Sequence, residues 1–138
     1  MRISISKACM ALAFLCMTPT TGFAEEKSYV CAINEVYECV TVTGCSRISL
    51  EDANVAGIMV IDLEKKQLRS APIGDEPRTD DIEGMAVTDK AILLHGTGKR
   101  ETDRTWSALI SLETGNLTAG ISTLDSSLSL LGNCSAKP

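Results

Sequence analysis

The single histidine, His95, is the natural starting point for any acid–base or nucleophile-activating chemistry in this chain. A hydrolase needs a nucleophile, a base and an oxyanion site. The chain has no Gly-x-Ser-x-Gly elbow, and His95 ends the apolar run Ala91-Ile92-Leu93-Leu94. An imidazole at a strand end, half in water, needs no special role. The next residues, Gly96-Thr97-Gly98-Lys99-Arg100, have phosphate-loop types, but Walker A spacing requires a glycine where Leu93 stands. Lys99, Arg100 and Arg104 are offset by Glu101 and Asp103, so residues 96–104 read as a solvated hairpin loop. No catalytic set and no cofactor motif emerges, and the chain reads as a non-enzyme.

Residues 74–83 form the most distinctive surface stretch, with Asp75, Glu76, Asp80, Asp81 and Glu83 against Arg78 alone. A calcium loop would place oxygen ligands at alternate positions in an Asp-x-Asp-x-Asp-Gly order, which is absent here. Paired carboxylates could serve a glycosidase, but a sugar site calls for aromatic faces that this chain hardly offers. The stretch therefore reads as a solvated linker. Its alternatives are a contact surface for a basic protein partner, which Pro77 would stiffen, and a cation or catalytic site.

Four cysteines could bind metal or form disulfides: Cys31, Cys39, Cys45 and Cys134. None is spaced Cys-x-x-Cys, and His95 has no histidine partner, so no metal site is expected. Two disulfides fit better, and three pairings are possible. Cys39 and Cys45 flank Val40-Thr41-Val42-Thr43-Gly44, where Gly44 can take the positive φ of a hairpin turn and bring the arms together. That leaves Cys31 to join Cys134, closing a loop of about a hundred residues.

These cysteines imply an oxidising compartment, and the first residues supply a route to one. Arg2 and Lys7 precede an apolar run at residues 8–17, followed by Pro19 and by Gly22 and Ala24 at −3 and −1 of a cleavage point. Residues 1–24 thus read as a secretory signal peptide and residues 25–138 as one disulfide-bonded domain, periplasmic or secreted from a bacterium. The run is about half of the roughly 20 residues that span a bilayer, so no membrane span is expected. Lipidation at Cys16 is disfavoured by Leu15 directly before it. Removing these 24 of 138 residues also removes Arg2 and Lys7, leaving eleven basic against eighteen acidic residues. That charge opposes phosphate binding, and Tyr29, Tyr37 and Trp106 are too few aromatics for a base-stacking platform, so no nucleic-acid partner is expected.

The elements that must position these residues read as strands. Trp106, Ala108, Ile110 and Leu112 alternate with more polar neighbours at period two, and Leu117, Ala119 and Ile121 do so after the turn at Thr114-Gly115-Asn116. Trp106 is expected in the core. Similar hairpins join residues 58–63 to 68–73 and residues 85–87 to 91–94, and further strands fit residues 29–33, 36–42 and 128–133. Residues 61–68 align with 110–117 in Ile, Leu, Glu and Leu, as a duplicated hairpin or simply as two hairpins with polar turns. A short helix over residues 50–55 is expected from Ser49 as a cap and Asp52 three residues on. The expected fold is all-β: one antiparallel meander of eight or nine strands, forming a small barrel or two packed sheets.

The signal, the Cys31-Cys39-Gly44-Cys45 cluster, the Trp106 strand followed by Gly115, and the terminal Gly132-Asn133-Cys134 resemble the layout of small uncharacterised exported proteins of proteobacteria. That resemblance implies no activity. In export, size and disulfides the chain also looks like the periplasmic inhibitors of c-type lysozyme, but their Ser-Gly pair leading to a tyrosine and their Trp-x-Lys-Gly stretch are absent. The function expected from sequence is a non-enzymatic binding or inhibitory module, with a carrier of an apolar small molecule as the alternative and a small hydrolase third. Cleavage after Ala24 is checked by the intact mass of exported protein, which should begin at Glu25. A mass including residues 1–24, or a lipid on Cys16, would contradict it.

Overall fold

The structure, a computed structural model, describes residues 28–73, 76–99 and 103–137. These form ten antiparallel strands in chain order: β1 (Ser28–Val40), β2 (Gly44–Ile48), β3 (Ile58–Asp62), β4 (Gln67–Ile73), β5 (Glu76–Asp81), β6 (Gly84–Val87), β7 (Ala91–Thr97), β8 (Thr105–Ser111), β9 (Asn116–Ser122) and β10 (Ser126–Ala136). They make one strongly curled half-barrel sheet in the order β5-β4-β3-β1-β10-β9-β8-β7-β6, with β2 also paired to β1. The meander is therefore centred on β1, which carries β3 on the first half of one edge, β2 on the second half, and β10 along the other.

Alternation accounts for the curl's interior. Ile92 and Leu94 of β7, Trp106, Ala108 and Ile110 of β8, Leu117 and Ile121 of β9, and Leu128 and Leu130 of β10 are buried, while their neighbours face water. The alternation of β8 stops at Ser111, and Leu112 sits in the turn, 41% exposed. The sequence divides β1 into two strands, but the chain runs through a bulge between Ile33 and Glu35. One extra residue there switches the inward set from Tyr29, Cys31 and Ile33 to Val36, so Val36 is buried with them. The bulge presses the Ala32 carbonyl against β10 at Gly132, where a Cβ would lie 2.1 Å from that oxygen.

Three expectations need correction. Ten strands form rather than eight or nine, partly because residues 76–81 of the acidic stretch are the strand β5, not a linker. The expected helix over residues 50–55 is one turn: Ser49 Oγ accepts the Asp52 N–H (3.0 Å), the Ala53 N–H reaches the Ser49 carbonyl (3.1 Å), and Asn54 then enters the left-handed region at φ 53°. An asparagine there ends a helix as glycine does, before propagation can offset nucleation. Among the described residues no helix forms, so none is long and apolar enough to cross a membrane. The loop expected over residues 96–104 is shorter, since β7 runs to Thr97.

The aligned hairpins β3–β4 and β8–β9 share one turn geometry, with Lys66 (φ 51°) where the other has Gly115 (φ 73°). Cys31 pairs with Cys134 across β1 and β10, and Cys39 with Cys45 across β1 and β2, each as directly opposed residues. The hairpin and closure reasoning selects the same pairing. The two bridges close loops of very different length, with sequence separations of 103 and 6. Replacing Cys31 and Cys134 together by Ser should therefore cost about 4–5 kcal/mol, and replacing Cys39 and Cys45 about 2 kcal/mol. Denaturant unfolding of the two double variants checks the order, and equal losses would contradict it.

Candidate functional site

The acidic stretch lies where the two ends of the curled sheet meet. The terminal strands β5 and β6 are successive halves of one segment, residues 76–87, which pairs first with β4 and then with β7. At the kink between them, the Ile82 N–H donates to the Lys66 carbonyl (2.8 Å) and the Glu83 N–H to the His95 carbonyl (2.9 Å), so one short segment bonds both sides of the sheet. Ile82, 4% exposed, anchors the kink in the core.

Three of the five candidate carboxylates serve this junction. An Asp80 oxygen accepts the Lys99 N–H (3.1 Å), Asp81 pairs with the Lys99 ammonium (2.9 Å), and Glu83 accepts from both the hydroxyl and the N–H of Thr97. Glu76 lies in β5, and Asp75 lies outside the described residues. The stretch thus ties residues 80–83 to residues 97–99. Gly96 permits the approach, because a Cβ there would stand 2.5 Å from the Asp81 carbonyl oxygen and 2.8 Å from Trp106 Cζ2.

His95 is exposed on the outer face, where its imidazole lies over Gly84: a Cβ on that glycine would overlap the ring. Also outside the curl, the Tyr37 hydroxyl donates to Glu35 (2.8 Å), which holds the phenol above its ordinary pKa through that bond and its charge. Among the described residues no cluster of three or more His, Cys, Asp or Glu could hold a metal ion.

The interior holds a different site. A cavity of about 70 Å³ lies inside the curl, at the end framed by the β2–β3 connection and the start of β8. Its apolar wall includes Met59 and Ile61 of β3, Leu68 of β4, Ile121 of β9 and Leu130 of β10. Polar side chains come from other elements: Asn54 of the β2–β3 connection, Arg78 and Asp80 of β5, Arg104, and Trp106 of β8. Arg78 donates to the Asn54 carbonyl and side-chain oxygens (both 2.8 Å), fastening the connection to β5. Its Nε and the Trp106 indole Nε1 are buried with no hydrogen-bond partner among the described residues. Trp106 is only 8% exposed, so it is the core residue expected and a cavity wall as well.

Sequence reasoning missed Arg78, Arg104 and Asn54 as parts of a site. The signal was present in and just after β5, where Arg78, Asp80 and Ile82 recur at period two, the spacing that puts residues on one sheet face. Net charge drew attention to the outward set instead.

Gly96→Ala tests the close approach beneath Trp106. The added methyl must displace backbone or indole, so a loss of about 1–3 kcal/mol and a changed Trp106 fluorescence maximum are expected. Unfolding with fluorescence detection measures both, and a neutral substitution would contradict the packing described. In comparison with known proteins, no family model matches this chain, and no curated protein or solved structure matches it significantly.

Proposed function

We propose that this chain is a non-enzymatic, extracytoplasmic binding module, exported by residues 1–24, that holds a small molecule inside the curl of its sheet. The observation that carries this reading is the cavity walled by apolar side chains and edged by buried donors without acceptors. Ligand sites are typically concave and apolar with a few placed polar groups, and they recur in the mouths of curled β-sheets. Two disulfides are compatible with life outside the cytoplasm. An acidic docking surface has less support, because Asp80, Asp81 and Glu83 are engaged with residues 97–99.

Surface recognition retains one specific observation. The Cys39–Cys45 hairpin ends in Val42, 93% exposed, and the turn joining β9 to β10 places Leu124, 80% exposed, at the same end of the sheet, since Val40 opposes Ser126. An apolar, disulfide-braced tip suits insertion into a partner's cleft, the inhibitory version of a binding module.

Native mass spectrometry of protein purified from its exported compartment separates the two. Wild type should retain a small-molecule mass that Ala119→Phe, which fills the cavity from β9, lacks while remaining folded by circular dichroism. A wild type that carries no small molecule, and whose melting temperature moves with no member of a metabolite library, would contradict the cavity reading.

A further inference from the structure

We infer that the cavity takes a small carboxylate with an apolar body, its carboxylate received by the Trp106 indole N–H and the Arg78 guanidinium. This rests on the proposed reading of the cavity as a ligand site and adds the chemical class of the ligand.

The first argument is what the site lacks. Trp106 Nε1 and Arg78 Nε can only donate, so both await an acceptor. The other two nitrogens of Arg78 are committed to Asn54, which fixes the guanidinium in place before a ligand arrives. A buried N–H without an acceptor costs free energy, and a ligand oxygen removes that cost.

The second argument is charge. Arg78 and Arg104 line the cavity against one carboxylate, Asp80, and an oxygen of that carboxylate already accepts the Lys99 N–H. An ammonium ligand would face two guanidiniums. A neutral carbonyl or alcohol would satisfy a donor but would not form a charge-assisted bond with the guanidinium. A carboxylate answers both, and its two oxygens suit two donors in charge-assisted bonds.

The third argument is the opposite wall. Met59, Ile61, Leu68, Ile121 and Leu130 offer nothing to a polar group, so the body of the ligand is apolar. The enclosed volume of about 70 Å³ is near half that of a dry engineered cavity of about 150 Å³ that accepts benzene. The enclosed portion is therefore a few carbons, and a longer ligand must extend out of the curl.

Trp106 is the chain's one tryptophan, so its fluorescence reports on this site without a label. Oxidised mature protein would be titrated with butanoate, hexanoate and benzoate, with the alcohols and ammonium ions of the same carbon skeletons, and with inorganic phosphate, followed by fluorescence and calorimetry. Carboxylates should bind roughly tenfold to a hundredfold more tightly than the matched alcohols, the range expected for a charge-assisted bond. Ammonium ions and phosphate should bind more weakly still. Arg78→Gln should erase the preference of acid over alcohol, and because it also loosens Asn54, Arg104→Gln and Asp80→Asn serve as independent variants. The first should weaken carboxylate binding, and the second, which removes the opposing negative charge, should tighten it. Alcohols or ammonium ions binding as tightly as carboxylates, or phosphate binding more tightly, would overturn the ligand class while leaving the cavity as a site. Absence of binding by every probe would overturn the class, and only a wild type also bare in native mass spectrometry would overturn the cavity reading with it.

Discussion

The pairing of β1 with β10, fixed covalently where Cys31 faces Cys134, is the constraint on which the rest of the structure depends. It unites the first and last described strands in one ladder, and Cys31 is fully buried near the end of that ladder where β1 begins. From this seam two arms extend, β3-β4-β5 on one side and β9-β8-β7-β6 on the other. Strand twist accumulates along both arms and rolls the sheet toward itself. The bulge in β1 keeps Val36 facing the same interior as Tyr29, Cys31 and Ile33, and without it Val36 would face water.

The two arms meet in the kinked segment of residues 76–87, and this second closure is of another physical kind. It has backbone bonds at Ile82 and Glu83 and the one buried side chain of Ile82, and its side-chain polar contacts are exposed, such as Asp81 with Lys99, where both side chains are about half in water. Exposed ion pairs contribute about 0–1 kcal/mol, far less than a disulfide closing a hundred-residue loop. The junction is thus the weaker of the two closures and the place where local opening is least costly. The cavity lies against it, since Arg78 and Asp80 belong to this segment and Trp106 packs over Gly96 beside it. A site placed beside the weaker closure has a route for exchange that leaves the β1–β10 ladder intact.

Where one physical rule acts alone, the sequence was legible. The alternation in β8 and β9 foretold the strands, the hairpin and the burial of Trp106, because a half-buried strand has no other demand on its pattern. The cysteine pairing was legible because only the hairpin brings Cys39 near Cys45. The acidic β5 was not, since carboxylates on a strand normally indicate exposure, and here they find partners only once residues 97–99 arrive from across the sheet. The turn at residues 50–54 carried a real capping signal in Ser49 and Asp52, yet Asn54 ended it and became the anchor for Arg78. The site shared that fate. Arg78, Asn54 and Trp106 are separated along the chain and converge only through the curl, so no local pattern could assemble them.

The indole N–H of Trp106 gives the chain's one indole cross-peak in a proton–nitrogen correlation spectrum. A carboxylate seated against it becomes its acceptor, so at saturating hexanoate that proton should move downfield and exchange with solvent more slowly. An unmoved cross-peak, with hexanoate bound by calorimetry in the same sample, would contradict a ligand received by Trp106 inside the curl.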